Sequence, residues 1–212
     1  MNCCQCQGIE GLFSQQYVNK ELWRYLAKGP DKTTRMLTEA IKEEGVDGLT
    51  LLDIGGGVGA IQHDLLAAGI QEVISVEAST AYLTVSKAET QRRGLADHVS
   101  YFHGDFVDLA SNIPPADIVT LDRVICCYHD MEKLVSLSSA RARKLYGLVY
   151  PCDTWWIKIG LAIQNLFFWL QRNPFRSYMH ATKSVEAVLS SNGLKRHSYR
   201  RTLVWQVVVY TH

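Results

Sequence analysis

The sequence predicts an α/β fold: a seven-stranded, mostly parallel sheet covered by helices on both faces and closed by a C-terminal antiparallel hairpin. Three observations predict it. From residue 49 onward, short apolar runs alternate with helical patterns, as parallel strands joined by crossover helices do. A glycine-rich turn, "DIGGGVGA" at residues 53–60, lies between the first apolar run and the helix that follows. The last stretch, "KRHSYRRTLVWQVVVYTH" at 195–212, reads as two strands joined tightly, and a tight joint makes them antiparallel.

The elements follow in order. Residues 14–44 have a helical pattern, with Trp23, Tyr25 and Leu26 ahead of a "KGP" break at 28–30. Asp31 is placed to cap a helix whose Met36, Leu37, Ala40 and Ile41 form one stripe, and Gly45 and Gly48 end it. Strand one opens "LTLLDI" at 49, and its helix ends by residue 70. Strand two is "EVISVEAS" at 72–79, followed by a helix over 80–95 that Gly94 closes. Strand three is "VSYFHGDF" at 99–106 and strand four "ADIVTLDRVICC" at 116–127. "SLSSARARKLYG" at 136–147 reads as a helix, "LVYP" at 148–151 as strand five, and "TKSVEAVLSSNGL" at 182–194 as the last helix. The predicted division is a cysteine-containing tail and lid helix over residues 1–30, then one domain over 31–212 with an apolar insert at about 154–180.

Composition narrows the function. A chain of 212 residues is long enough to bury one full core. Its charges nearly cancel, at +1, which gives no electrostatic footprint for nucleic acid. The N-terminus lacks the basic and apolar regions of a signal peptide, and the six cysteines are not spaced as a disulfide framework. A cytoplasmic, reducing compartment is expected. Three of the cysteines form "CCQC" at 3–6, which is not the C-x₂₋₄-C pairing of zinc sites, so no metal is expected. Cys126 and Cys127 should face opposite ways along strand four, as small apolar residues. Residues 154–171, "TWWIKIGLAIQNLFFWLQ", are apolar nearly all round, yet Lys158, Gln164 and Asn165 interrupt any span. They read as a buried helix, as a lid over an apolar substrate, or as a peripheral membrane or homodimer contact.

The glycine turn carries the chemistry. Gly55, Gly57 and Gly59 let the backbone turn sharply and approach a ligand with no Cβ in the way. The helix start beyond them presents free N–H groups. Glu77 ends the next strand, where a carboxylate can accept both hydroxyls of a ribose. The same residues satisfy G-x-G-x-x-A, so a dinucleotide is the competing cofactor. Asp53, two residues before the first glycine, would repel a pyrophosphate but suits a cationic amino-acid group. Asp105 and Phe106 at the end of strand three suit an adenine's amino group and ring face. With the terminal hairpin, these residues resemble the Rossmann-like class I S-adenosylmethionine-dependent methyltransferases over roughly residues 31–212. The resemblance implies S-adenosyl-L-methionine as cofactor, held by Asp53, Gly55, Gly57, Gly59, Glu77, Asp105 and Phe106, with Asp122 reaching its amine or Arg123.

A second resemblance concerns the acceptor. "LDRVICCYHD" at 121–130 and "PFRSYMHATKSVEAVLSSNGL" at 174–194 are similar to segments of magnesium-protoporphyrin IX O-methyltransferases. It implies a catalytic pair, His129 and Tyr128, and an R-x-Y-x-H element, Arg176, Tyr178 and His180, facing the acceptor. His129 would be the base; alternatively it only precedes the helix that starts at "DMEKL". Trp23 and Tyr25 on the lid helix would close the same mouth. The glycine turn and the "CCQC" start depart from that family, so the reaction class carries over and the porphyrin does not. The function expected is methyl transfer to a small, apolar or planar acceptor, at oxygen. The alternatives are a nicotinamide-dependent oxidoreductase and a non-catalytic membrane- or partner-binding subunit working through residues 154–171.

Overall fold

The computed structural model describes the backbone of residues 4–212 and the side chains of residues 8–212; the thiols of Cys3, Cys4 and Cys6 lie outside the described residues. Strands β1 (Thr50–Ile54), β2 (Glu72–Glu77), β3 (Val99–His103), β4 (Ala116–Asp122), β5 (Ala142–Pro151), β6 (Lys195–Arg201) and β7 (Trp205–Thr211) form one sheet in the order β3-β2-β1-β4-β5-β7-β6. β1 to β5 run parallel, and β7 pairs antiparallel with β5 on one side and β6 on the other. The helices are α1 (Cys4–Leu12), α2 (Gln15–Lys28), α3 (Lys32–Lys42), α4 (Ala60–Leu66), α5 (Thr80–Arg92), α6 (Phe106–Leu109), α7 (Met131–Ser139), α8 (Trp155–Leu170) and α9 (Thr182–Ser191). The chain fills the sheet from β1 outward to β3, then crosses to β4 on the other side. The crevice between the C-terminal ends of β1 and β4 is therefore the switch point at which open α/β sheets bind ligands.

Alternation along the strands builds two cores. Leu51, Val73, Ile118 and Leu145 pack on one face with Leu37 and Ile41 of α3 and Ile61 and Leu65 of α4. Leu52, Ile54, Val119 and Leu121 pack on the other with Leu134 and Val135 of α7 and Val185 and Leu189 of α9. Gly147 in β5 has a packing reason: a Cβ there would lie 2.8 Å from Leu37 Cδ1 and 3.3 Å from Ile41 Cδ1. Only glycine lets α3 sit this close to the sheet.

Several expected boundaries move. The helix read at 136–147 is instead the end of α7, at Ser139, and the start of β5, at Ala142. Ala-Arg-Lys-Leu has helical propensity, but β5 is paired along both edges, to β4 and to β7, and that pairing overrides a local preference. Strand four ends at Asp122 rather than 127. Arg123 takes a left-handed backbone, φ 60°, and a 3₁₀ turn follows over Ile125–Cys127. Cys126 and Cys127 thus do not alternate along a strand: both thiols reach the Arg123 carbonyl, at 3.3 and 3.6 Å. Asp31 stands at the start of α3 but does not cap it. Its carboxylate goes to Arg24, at 3.1 Å, and Arg123, at 2.9 Å. In α8 only Ile157 is buried, which overturns the buried-helix reading of the apolar insert. Among the described residues no helix is long and apolar enough to cross a membrane.

Candidate functional site

The C-terminal ends of β1 to β4 open into a cavity of about 560 Å³, a size typical of small-ligand sites. The glycine turn forms its floor. Gly55, Gly57 and Gly59 have φ of 68°, 57° and 87°, a region that side chains disfavour. The Gly55 N–H donates to the Val76 carbonyl at 2.8 Å, which ties the turn to β2. A Cβ on Gly55 would fall 2.5 Å from Val124 Cγ2, whereas one on Gly57 meets nothing closer than Tyr82 Cε1 at 3.8 Å. Gly57 therefore has open space above it, on the cavity wall.

Four carboxylates surround this floor. Glu77 accepts from the Gly57 N–H at 3.1 Å with one oxygen and from the Ser79 N–H at 2.9 Å with the other. Those bonds fix its plane and leave further lone pairs on both oxygens. Burial pushes its carboxyl up to about 7, against the pull of the backbone N–H groups. Asp53 lies under the turn, fully buried and off the cavity wall. One of its oxygens accepts from Thr120 Oγ1 at 2.8 Å; the other has no partner among the described residues. Burial, with the charges of Asp122 and Glu77, also raises Asp53 to about 7. Asp105 accepts from the Val107 N–H and from the Tyr128 hydroxyl, each at 2.9 Å, and Phe106 beside it lines the wall. Asp122 accepts from Thr34 Oγ1 at 2.5 Å and from Arg123 Nε at 3.0 Å.

The cavity walls differ along its length. α1, α2 and the connection between them roof the glycine turn with Ile9, Leu12, Phe13, Tyr17 and Glu21. The Tyr82 hydroxyl bonds Glu21 and the Thr80 hydroxyl bonds Glu10, which fastens the roof to α5. The far end is apolar, with Ile157, Leu161, Phe175, Val204 and Trp205. The floor thus offers two-oxygen acceptors and backbone donors for a nucleoside, and the far end offers aliphatic and aromatic surface.

Not every expected residue reaches this cavity. Gly59 turns the chain into α4 off the wall, and Trp23 is 67% exposed. Tyr17 and Glu21 lie four residues apart on the inner face of α2, and Trp23, two residues beyond, is turned about 200° away. His129 is exposed just before α7, where its ring stacks on Tyr128 at 5.4 Å. Tyr128 does line the cavity, with its hydroxyl on Asp105. Arg176 donates to the Asn173 and Phe175 carbonyls. The Tyr178 N–H donates to the Cys126 carbonyl at 2.7 Å. His180 Nε2–H donates to the carbonyls of Ile125 and Tyr128, at 2.9 and 3.0 Å, and burial holds its ring below the usual histidine range. Tyr178 and His180 thus brace the β4–α7 connection, while Arg176 bonds within its own segment. Sequence reasoning missed Tyr17, Glu21, Thr34 and Tyr82, and named Arg123 only as a partner of Asp122, a contact that forms at 3.0 Å. The i, i+4 pair in α2 and the Asp122-Arg123 doublet were the available signals.

A family model described as the O-methyltransferase domain matches residues 4–143. No curated protein matches the sequence. Among solved structures, the magnesium protoporphyrin IX methyltransferase of Synechocystis PCC 6803, with bound S-adenosylmethionine, superposes with a TM-score of 0.72 at 15% identity over 98% of this chain and 97% of that one. An O-methyltransferase family protein from Burkholderia thailandensis gives 0.71 at 13% identity, over 95% and 61%. An O-methyltransferase family 2 protein from Planctomyces limnophilus, in complex with apigenin, gives 0.61 at 14% identity, over 87% and 62%. At these identities the structures establish a shared class I methyltransferase fold. The family model spans about two thirds of the chain, and on that ground this protein belongs to the O-methyltransferase domain family, an enzyme whose methyl donor is S-adenosylmethionine.

Proposed function

We propose that the enzyme methylates an oxygen of a small, planar or apolar acceptor bound at the far end of the cavity. The observation that carries this reading is the continuity of one 560 Å³ space from the glycine turn to the Ile157–Leu161 and Val204–Trp205 walls. Phe175 and Trp205 give that end aromatic faces suited to a flat molecule, and Phe13 of the roof stands edge-on to Phe175. Two structural neighbours support a planar acceptor by name, one acting on magnesium protoporphyrin IX and one holding apigenin.

S-adenosylmethionine supplies a methyl group on a cationic sulfur, open to in-line displacement. The residues present fit it. Glu77, already oriented by two backbone bonds, would accept the ribose hydroxyls. Asp105 and Phe106 would meet the adenine, and Tyr128 would hold Asp105 in place through its hydroxyl. Gly55 and Gly57 would give the close backbone approach, with Asp53 bracing the turn from below and Asp122 at the neighbouring strand end. For the acceptor, the task of the walls is to exclude water and hold the attacking oxygen in line, which needs no base if that oxygen is a carboxylate's.

The test is calorimetric titration with S-adenosylhomocysteine, followed by a product-release screen over phenols, aromatic carboxylic acids, thiols and tetrapyrroles. Turnover of phenols or carboxylic acids with planar apolar bodies is expected. No binding of S-adenosylhomocysteine, or turnover confined to thiols, would overturn the reading.

A further inference from the structure

α8 has two faces. Its inner face lends Ile157, Leu161 and Gln164 to the cavity. Its outer face carries Trp155, Ile159, Ile163, Leu166 and Leu170, spaced four, four, three and four residues apart and 73%, 52%, 51%, 54% and 61% exposed. Phe167 and Trp169, 58% and 63% exposed, widen that stripe. Beside the start of α8 stands the β6–β7 tip, tied by the Cys152 N–H to the Val204 carbonyl at 2.8 Å, and its Leu203 is 79% exposed. An apolar surface of this extent needs an occupant.

Charge decides which occupant. Residues 154–181 include Lys158, Arg172 and Arg176 but no aspartate or glutamate, and residues 195–205 include Lys195, Arg196, Arg200 and Arg201, again with no acid. The whole chain carries only +1. Lys195 and Arg196 lie at the opposite end of β6 from the tip, Arg196 paired with Glu186, which leaves Lys158, Arg172, Arg176, Arg200 and Arg201 within or next to the segments that carry the apolar face. Some are paired, Lys158 with Asp153 and Arg200 with Glu43; Arg172 and Arg201 have no ion-pair partner among the described residues. A second copy meeting this face across a two-fold axis would bring the same cations together. An anionic bilayer complements them. At about 1.5 Å per residue the helix is roughly 24 Å long, short of a bilayer's hydrocarbon core, so it lies along the surface.

We propose that the outer face of α8 and the β6–β7 tip form a docking surface for an anionic membrane. α8 sits in the interfacial plane with its apolar stripe toward the acyl chains, and Arg172 and Arg201 meet lipid phosphates. Ile157 and Leu161 on one element, and Val204 and Trp205 on the other, line the apolar end of the cavity, so the docked enzyme receives its acceptor from the lipid. The delivery rests on the methyl-transfer reading; the docking does not.

The experiment is co-sedimentation of the full chain with phosphatidylcholine vesicles, with and without about one third phosphatidylglycerol, at low and high salt. Binding to the anionic vesicles that weakens with salt is expected. Leu166→Glu with Leu170→Glu should lower partitioning at least tenfold while S-adenosylhomocysteine binding is unchanged, since neither side chain lines the cavity. Arg172→Glu with Arg201→Glu should abolish the preference for anionic lipid. Failure to sediment with anionic vesicles, or variants that sediment like the native chain, would overturn the proposal. So would a dimer in solution that the Leu166→Glu, Leu170→Glu chain breaks while no vesicles are bound. Vesicle binding without S-adenosylhomocysteine binding would support the docking surface and overturn only the methyl-transfer reading.

Discussion

Replacing Glu77 with glutamine separates the stability of the glycine-turn site from its function. The side chain is 7% exposed, and burial raises its carboxyl from 4.5 to about 7. That difference corresponds to about 3 kcal/mol of preference for the protonated form in the folded protein. The folded state then holds a proton that the unfolded chain has released. The stabilisation is fully present below about pH 4.5 and is lost as pH rises through about 7. Glutamine carries no charge to bury, so above pH 7 the variant avoids that loss. Against this, the amide keeps only one acceptor, and its NH₂ must face either the Gly57 or the Ser79 N–H, which costs about 1–3 kcal/mol. At pH 8 the two effects nearly cancel, and the free energy of unfolding should change by no more than about 1–2 kcal/mol.

Ligand binding has no such compensation. Two ribose hydroxyls on a carboxylate make charge-assisted bonds of about 1.5–3 kcal/mol each. The amide loses one and weakens the other. A loss of about 2–4 kcal/mol, or roughly 30- to 1000-fold in Kd for S-adenosylhomocysteine, is expected. Calorimetry gives the affinity, and urea unfolding at pH 5 and pH 8 gives the stability. The native protein should lose stability between those values more steeply than Glu77→Gln. A variant that binds within threefold of native, or that loses more than about 4 kcal/mol at pH 8, would refute the reasoning.

Two further predictions bear on the same cavity. Gly55→Ala and Gly57→Ala each place a side chain in a left-handed backbone, at about 1–2 kcal/mol, but only at Gly55 does the new Cβ meet Val124 Cγ2 at 2.5 Å. Thermal unfolding should therefore show Gly55→Ala as the more damaging change, with Val124→Ala recovering part of the loss, while Gly57→Ala mainly weakens S-adenosylhomocysteine binding. His129→Ala should alter kcat/KM by less than about threefold, because the ring lies outside the cavity; Tyr128→Phe, which removes a bond to Asp105, should cost about 1 kcal/mol of cofactor affinity.

The cofactor end of the site was legible because its demands are local. A turn that passes through three left-handed residues needs glycine, and an acid at the end of the next strand stays beside that turn in any parallel sheet. β5 was not legible: its first residues have helical propensity, and its pairing partners, β4 and β7, begin about 26 residues before it and 63 after it in the chain. The face of α2 was misjudged for a related reason. Trp23 is its largest side chain, but burial of Val18 and Tyr25 fixes the helix rotation and leaves Trp23 outside. The R-x-Y-x-H element looked like a binding motif because its side chains are polar. Its bonds instead run to main-chain carbonyls or come from its own backbone, a use that residue identity does not reveal.

The cavity divides along a physical line. The floor comes from strand ends, whose positions the sheet dictates. The roof and most of the far wall come from residues 9–21 and 157–177, segments outside the strand–helix alternation, with Val204 and Trp205 of the terminal hairpin completing the far wall. One contact set joins the two: Arg24 to Asp31, Asp31 to Arg123, and Arg123 to Asp122, a run of ion pairs from α2 through the start of α3 to the end of β4. Arg123 reaches both acids from a left-handed backbone, and a non-glycine residue holds such a conformation only where its surroundings impose it. The strain at the end of β4 is thus balanced by the bonds that anchor the roof. Changes in the two outer segments can therefore alter which acceptor fits while the floor keeps the same donor, as long as this run of charges still ties roof to sheet.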